Sequence, residues 1–291
     1  MKKPSVFLLI LLFVICTGCS KEASCNIVAT TLPVYDFTVL LCEGTELTIG
    51  RLVTENVSCL HDYTLKVDQM RMIEQADTVV ISGNGLEVFL EDALHSTHVI
   101  DASKHVPVHA ENGTHAHCSE THHHSHETDP HIWLSPEIAK LMSANICTEL
   151  VAYYPQHKEI FQQNLTSLNQ MLDALQEYGN TQLSGLSTRN LITFHDGFAY
   201  FAESFDLTIL EAVEEESGSE ASASEIIHLV ELVESNSLPA IFIEKSGSDA
   251  CASIIHAETG VEVYTLDMAM AGDSYFDAMY HNINTIKEAL G

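Results

Sequence analysis

The sequence predicts an α/β protein of two lobes, each a mainly parallel four-stranded sheet with flanking helices, joined by one long rigid helix. Two observations indicate this fold. Short apolar segments alternate with helical patterns in both halves of the chain, which is typical of parallel sheets. Between the halves, residues 156–183 contain no proline and a single glycine, and large apolar side chains recur every three or four residues. Such a stretch predicts one amphipathic helix, about 40 Å long.

The segments of the first lobe follow one another in the order strand, helix, strand. Apolar runs predict strands at 26–31, 46–53, 78–82 and 99–100, and helical spacing predicts helices at 33–41, 65–76 and 87–94. Ser135 and Pro136 then have the residue types of a helix N-cap and first turn, so a further helix is expected to run to about Tyr154. Pro155 is expected to end that helix because proline removes a backbone donor.

The second half repeats this alternation and ends on a helix. Strands are predicted at 191–194, 208–213, 240–243 and 261–264, and helices at 197–205, 223–235, 249–259 and 273–290. We therefore divide the folded chain into an N-terminal lobe (26–155, with a histidine-rich loop at 105–131), a linker helix (156–185) and a C-terminal lobe (186–291). Ligands of such sheets bind where the strands end, so the cleft between the lobes is the expected site.

The N-terminus has the pattern of an export signal. Lys2 and Lys3 precede an apolar run at 6–15, and Cys16-Thr17-Gly18-Cys19 follows, which resembles a bacterial lipobox. We expect a signal peptide at 1–18, lipidation of Cys19 and a tether at 19–25. The protein would then lie on the extracytoplasmic face of the cell envelope, anchored by lipid. The alternative is an ordinary cleaved signal or an N-terminal anchor.

Composition restricts the partners of the chain. With a formal net charge of −29, the protein should repel nucleic acid and attract cations. Seven of the 17 histidines lie between His115 and His131. A run of this composition predicts a loop rather than a core, and imidazole is the commonest protein ligand of zinc-like ions. We therefore expect an accessory metal-collecting loop, formed by His115, His117, His122, His123, His124 and His126.

Four further positions follow a predicted strand or precede a predicted helix, and two come from each lobe: His61, His131, His195 and Asp273. Three imidazoles and one carboxylate form a complete tetrahedral set for Zn(II), whereas Mn(II) prefers more oxygen. Alternatives stay open for individual residues. Asp273 could cap the last helix, Cys59 could bind a soft metal, and Asp62 and Asp196 could either fix histidine tautomers or be turn residues.

These residues lie in motifs that resemble a known family, the cluster A-I substrate-binding proteins of bacterial ABC transporters, which are zinc- and manganese-binding lipoproteins. The resemblance covers residues 26–290. Its motifs are His61-Asp62-Tyr63, the stretch ADTVVISGNGLE (76–87), DPHIWLSP (129–136), TFHDGFAYF (193–201), EASA (220–223), AIFIE (240–244) and GDSY (272–275), followed by Met279 and Asn282. The histidine-rich insertion before Asp129 is typical of the zinc members.

The resemblance implies that His61, His131 and His195 are nitrogen ligands and that Asp273 is the carboxylate ligand of Zn(II), with Mn(II) as the alternative cargo. Manganese members usually have a carboxylate where this chain has His195, which favours zinc. The family delivers its ion to a membrane permease and breaks no bond, so no enzymatic activity is expected, and we expect a monomer. Two other classes remain open: an extracellular zinc metalloenzyme, and a histidine-rich adhesin or storage protein.

Overall fold

A computed structural model describes residues 25–55, 57, 60, 63–94, 97–107, 129–213, 221–245 and 247–291. The predicted signal peptide, Cys19, His61, Asp62, Cys59 and the six accessory histidines lie outside these residues. In the described part of the chain, no helix is both long enough and apolar enough to cross a membrane.

The N-terminal sheet contains parallel strands at β1 (Ile27–Ala29), β2 (Ile49–Arg51), β3 (Thr78–Ile81) and β4 (His98–Asp101), in the spatial order β2-β1-β3-β4. Helices α1 (Leu32–Cys42) and α2 (Val67–Gln75) connect its first three strands. The segment before β4 is a 3-10 helix over Val88–Ala93, so the predicted α-helix at 87–94 is wrong in type. It is short and follows three consecutive positive-φ residues, which leave little room for a regular α-helical turn.

The C-terminal sheet repeats the same plan. Its parallel strands are β5 (Asn190–Phe194), β6 (Thr208–Ala212), β7 (Ala240–Glu244) and β8 (Glu262–Leu266), in the order β6-β5-β7-β8. Helices α5 (Ala199–Ser204), α6 (Ala223–Asn236), α7 (Ala250–Thr259) and α8 (Tyr275–Leu290) follow the strands. The predicted two-lobed, parallel α/β fold is confirmed, with strand boundaries that differ from the prediction by at most three residues.

Two helices connect the sheets. Helix α3 (Pro136–Tyr153) begins as predicted, with the Ser135 hydroxyl accepting from the Ile138 amide. A 3-10 turn at Pro155–His157 follows, and α4 runs over Lys158–Gln182. With 25 residues, α4 is about 37 Å long. It packs against α1, α3 and α8 through one buried apolar stripe, so it bridges elements of both lobes.

The lobes share one apolar core. Tyr275 of α8 is fully buried and packs edge-on against Phe37 of α1, with 4.9 Å between ring centroids. Hydrogen bonds join the same surfaces: the Tyr275 amide donates to Asp36 Oδ2 (2.7 Å), and Arg51 Nη1 donates to the Gly272 carbonyl (2.6 Å). The start of α8 is thus fixed by residues of the opposite lobe.

Candidate metal centre

His195 is placed by the end of β5. The strand ends at Phe194, and the Thr193 hydroxyl donates to the His195 carbonyl (3.2 Å), which holds the first residue of the loop. The register β5–β7 pairs Phe194 with Ile243, so the next residues on the two strands, His195 and Glu244, are neighbours. Glu244 is buried, and its Oε2 lies 3.6 Å from His195 Nδ1.

The Glu244 carboxyl is an unusual group. Burial, and to a smaller extent the neighbouring Asp267 carboxylate, raises the pKa of Glu244 to about 8. Glu244 therefore carries a proton at neutral pH in the metal-free protein. At 3.6 Å its contact with His195 is longer than a hydrogen bond. A small cleft adjoins this carboxyl, lined by Val57, Glu244, Lys245, Asp267, Met268, Met270 and Ala271.

His131 is held by a shorter contact than His195, and its partner is close to it in sequence. Its backbone amide and its Nδ1 both lie against Asp129 Oδ1, at 2.9 and 2.8 Å. A carboxylate only accepts, so this contact places the proton on Nδ1 and leaves the Nε2 lone pair available to a metal. His131 is 6% exposed. The next aromatic residue, Trp133, is fully buried and donates from Nε1 to the Met268 carbonyl (2.8 Å) of the other lobe.

The two imidazoles meet across the cleft. Their ring centroids are 5.2 Å apart and the rings are almost perpendicular, at 81°. Gly197 is needed for this approach, because a Cβ at that position would lie 2.7 Å from His195 Cδ2, 3.0 Å from His131 Nδ1 and 2.5 Å from Met268 Cε. Two of the four predicted ligands, one from each lobe, are therefore brought together.

Asp273 lies on the segment that enters α8. Its side chain is exposed, and the cap of α8 is Ser274, whose hydroxyl accepts from the Asp277 amide (3.3 Å). The alternative that Asp273 caps this helix is therefore wrong. In the part of the chain that the structure describes, no three His, Cys, Asp or Glu side chains are grouped closely enough to hold a metal ion, so Asp273 is not gathered with the two histidines there.

His61 lies outside the described residues, whereas Leu60 and Tyr63 lie within them. The Tyr63 amide donates to the Leu60 carbonyl (3.1 Å), and the Tyr63 hydroxyl donates to Glu55 Oε2 (3.0 Å). Gln69 Nε2 donates to both the Tyr63 hydroxyl (2.6 Å) and the Leu52 carbonyl (2.7 Å). The Lys66 ammonium, which also bonds Glu55, holds the pKa of that carboxyl down to about 2. Leu60 is buried and Tyr63 is hydrogen-bonded to the lobe, so a described residue on each side of His61 is anchored.

A buried carboxyl, that of Glu87, also supports the loops that follow the carboxyl ends of β1 and β3. Glu87 accepts from the Thr30 hydroxyl (2.6 Å) and from the amides of Ser82 (2.7 Å) and Gly83 (3.0 Å). Desolvation nevertheless raises the pKa of Glu87 to about 7. This network fixes the turn that follows β3, beside the segment carrying His131.

Sequence reasoning left Asp62 and Asp196 as either tautomer-fixing acceptors or turn residues, and it missed the two carboxyl groups that face the histidines, Asp129 and Glu244. Asp129 could have been found from its position two residues before His131, where a carboxylate can reach back to the imidazole. Glu244 could be found only with the strand order, since β5 and β7 are far apart in sequence.

Comparison with known proteins identifies relatives of the whole chain. The family model described as zinc-uptake complex component A, periplasmic (ZnuA) matches residues 27–289. The zinc-binding lipoprotein AdcA of Streptococcus pneumoniae serotype 4 is 30% identical over 315 residues, covering 99% of this chain and 61% of AdcA. This chain thus spans about three-fifths of that curated relative's length.

Solved structures agree with the fold. A crystal structure of ZnuA has a TM-score of 0.78 at 25% identity, covering 92% of this chain and 100% of the other. The Zn(II)-bound ZnuA-like domain of Streptococcus pneumoniae AdcA has a TM-score of 0.75 at 25% identity, covering 92% of this chain and 99% of that domain.

Proposed function

The chain belongs to the ZnuA family, component A of periplasmic zinc-uptake complexes, and on this premise we propose that it captures Zn(II) outside the cytoplasmic membrane. It delivers the ion to the permease of an ABC transporter for import. The observation that carries the proposal is the pair His131 and His195: two imidazoles from two lobes, 5.2 Å apart, each with Nδ1 turned toward a carboxyl group.

The proposed ligands are His61, His131, His195 and Asp273. The anchored flanks of His61 support a role for a residue that must be held in place. Asp273 lies between two backbone contacts to the other lobe, at Gly272 and Tyr275, so its main chain is fixed while its carboxylate is exposed. With its carboxylate turned into the cleft on metal binding, Asp273 would complete a tetrahedral set with the three histidines. Mn(II) is the alternative cargo.

The remaining parts of the proposal concern location and supply. Lipidation at Cys19 would hold the protein at the outer face of the membrane, as a monomer beside its permease. The accessory histidines at 115–126 would bind zinc more weakly than the cleft, because the loop that their low-complexity sequence predicts must lose conformational entropy on binding. They would raise the local zinc concentration. A closed four-ligand site leaves no open position for substrate, so we propose a carrier and no enzymatic activity.

Metal titration tests the proposal. Zn(II) and Mn(II) would be titrated by chelator competition into the intact mature chain, into a deletion of residues 109–128, and into His131→Ala and His195→Ala. We expect one tight zinc site that survives the deletion and is weakened at least about 100-fold by either substitution, more than the loss from an outer-shell partner. His228→Ala is the matched control, because His228 is an exposed histidine paired only loosely with Glu211.

Loss of all tight binding on deletion of residues 109–128 would contradict the cleft site and favour a histidine-rich storage protein. Turnover of a substrate by the zinc-loaded protein would favour a metalloenzyme. Tighter binding of Mn(II) than of Zn(II) in the same titration would assign the alternative cargo.

A further inference from the structure

The turn after β3 has three consecutive residues in the left-handed region. Gly83, Asn84 and Gly85 have φ values of 82°, 52° and 84°. Left-handed backbone suits glycine, and asparagine is the side chain that tolerates it best. Gly83 is also required by space, since a Cβ there would lie 2.0 Å from Asp101 Oδ1 and 2.3 Å from Ser103 Oγ. The turn is thus packed closely against the end of β4.

Asn84, at the centre of this turn, contacts the chain on both sides of residues 109–128, which we call the histidine-rich segment. Its backbone amide donates to Ser103 Oγ (2.9 Å), and its side-chain Nδ2 donates to the Asp129 carbonyl (2.6 Å). Ser103 lies before that segment, and Asp129 directly follows it. One residue therefore holds the entry and the exit of the segment close together.

The entry side has further supports. Ser103 donates from its hydroxyl and its amide to Asp101 Oδ1, at 2.7 and 2.8 Å. Asn145 of α3 donates from Nδ2 to the carbonyls of Ala102 (2.9 Å) and Lys104 (2.7 Å). On the exit side, Asn84 bonds the main chain of the residue whose carboxylate faces His131. A bond chain thus runs from Asn84 through Asp129 to His131.

We propose that Asn84 is a positioning residue that isolates His131 from the histidine-rich segment. With the chain on both sides of the segment bonded to one turn, metal binding to the segment would leave Asp129 and the imidazole behind it in place. Long insertions between two fixed ends cost little free energy, and a site is precise only when its support is rigid. This inference rests on the proposed role of His131 as a zinc ligand.

The competing explanation is that asparagine is present only because the turn needs a left-handed residue. Asn84→Gly separates the two explanations, since glycine adopts φ near 50° without strain and keeps the backbone bond to Ser103. The substitution removes the side-chain bond to Asp129. The matched control is Asn164→Ala, because the side-chain amide of Asn164 also donates to backbone carbonyls, those of Leu41 (2.9 Å) and Glu43 (2.8 Å), at a distant place in the fold.

The experiment is a double-mutant cycle of Asn84→Gly with the deletion of residues 109–128. Zinc affinity is measured by chelator competition on the four mature proteins. We expect Asn84→Gly to weaken zinc binding about 10-fold when the segment is present, the lower end of the range for outer-shell partners. In the deletion background we expect less than about 2-fold, because the short connection itself restrains Asp129. Equal losses in both backgrounds, or no loss in either, would overturn the proposal.

Hydrogen–deuterium exchange on the metal-free proteins tests the same bond without zinc. Asn84→Gly should speed the exchange of the amides of His131 and Leu134 about 10-fold or more relative to wild type, and Asn164→Ala should leave them unchanged. Unchanged exchange in Asn84→Gly would sink the inference even if zinc binds as proposed. If the wild type bound no zinc tightly, the proposed function would fail, and the exchange result would still decide whether Asn84 fixes this segment.

Discussion

His131 and His195 come from two lobes of similar topology, yet they are supported in different ways. The acceptor of His131 is Asp129, two residues away in sequence and 2.8 Å from Nδ1. The facing group of His195 is Glu244, at the end of another strand, 3.6 Å away and with its pKa raised to about 8. His131 is therefore preorganised in the metal-free protein, whereas His195 depends on a contact that would have to shorten when a cation enters.

The largest expected effect is the pH dependence of stability that comes from Glu87 in the N-terminal lobe. Glu87 has a folded pKa of about 7 against an ordinary value of 4.5, so the folded protein binds this proton more tightly than the unfolded chain does. The stability from this group is present below pH 4.5 and is lost as pH rises toward and through 7. We expect Glu87→Gln to remove about 3 kcal/mol of this pH dependence, measured by urea unfolding at pH 4.5 and pH 8. Parallel profiles of variant and wild type would contradict this.

A slightly smaller effect, a loss of zinc affinity, is expected from a substitution that displaces both histidines. Gly197→Ala would place a Cβ against both imidazoles, so it should weaken zinc binding about 100-fold, the upper end of the range for outer-shell changes. Gly185→Ala is the matched control, because nothing lies within 4 Å of a Cβ there. Chelator competition gives both affinities. An unchanged affinity in Gly197→Ala would mean that zinc does not bind between these two rings.

The difference in support between the two histidines is tested by substituting Asp129 and Glu244 in turn. Asp129→Asn replaces the charged acceptor of a short contact with a neutral amide oxygen and should weaken zinc binding about 30-fold, within the usual range for an outer-shell acceptor. Glu244→Gln alters a group that already carries a proton and makes only a long contact, so we expect about 5-fold or less. The same competition assay compares the pair. A larger loss in Glu244→Gln than in Asp129→Asn would reverse the proposed difference between the supports.

The smallest effect concerns the entry to α8. Ser274→Ala should destabilise the protein by about 1 kcal/mol, because it removes the helix cap. Asp273→Ala should hardly change the free energy of unfolding but should weaken zinc binding. Urea unfolding and zinc titration on both variants separate the roles. A stability loss in Asp273→Ala equal to that in Ser274→Ala would restore the capping explanation for Asp273.

The sequence predicted the fold well because it depends on local patterns. The alternation of apolar strands with helices, the proline-free stretch that forms α4 and the cap at Ser135 are all short-range features. The pairing of His131 with His195 followed from the rule that parallel strands present their carboxyl ends to a cleft. The roles of Glu244 and Asn84 could not be predicted, because their contacts join residues that are distant in sequence. The cap of α8 could not be predicted either, because Asp273 and Ser274 are equally good caps by residue type.

Zinc-edge anomalous diffraction from crystals of the zinc-loaded protein lacking residues 109–128 tests the central claim most directly. The proposal predicts a single strong peak in the interlobe cleft, about 2.0–2.1 Å from Nε2 of His131 and of His195, with His61 and Asp273 completing the site. A peak that contacts neither His131 nor His195, or several peaks of similar height outside the cleft, would contradict it.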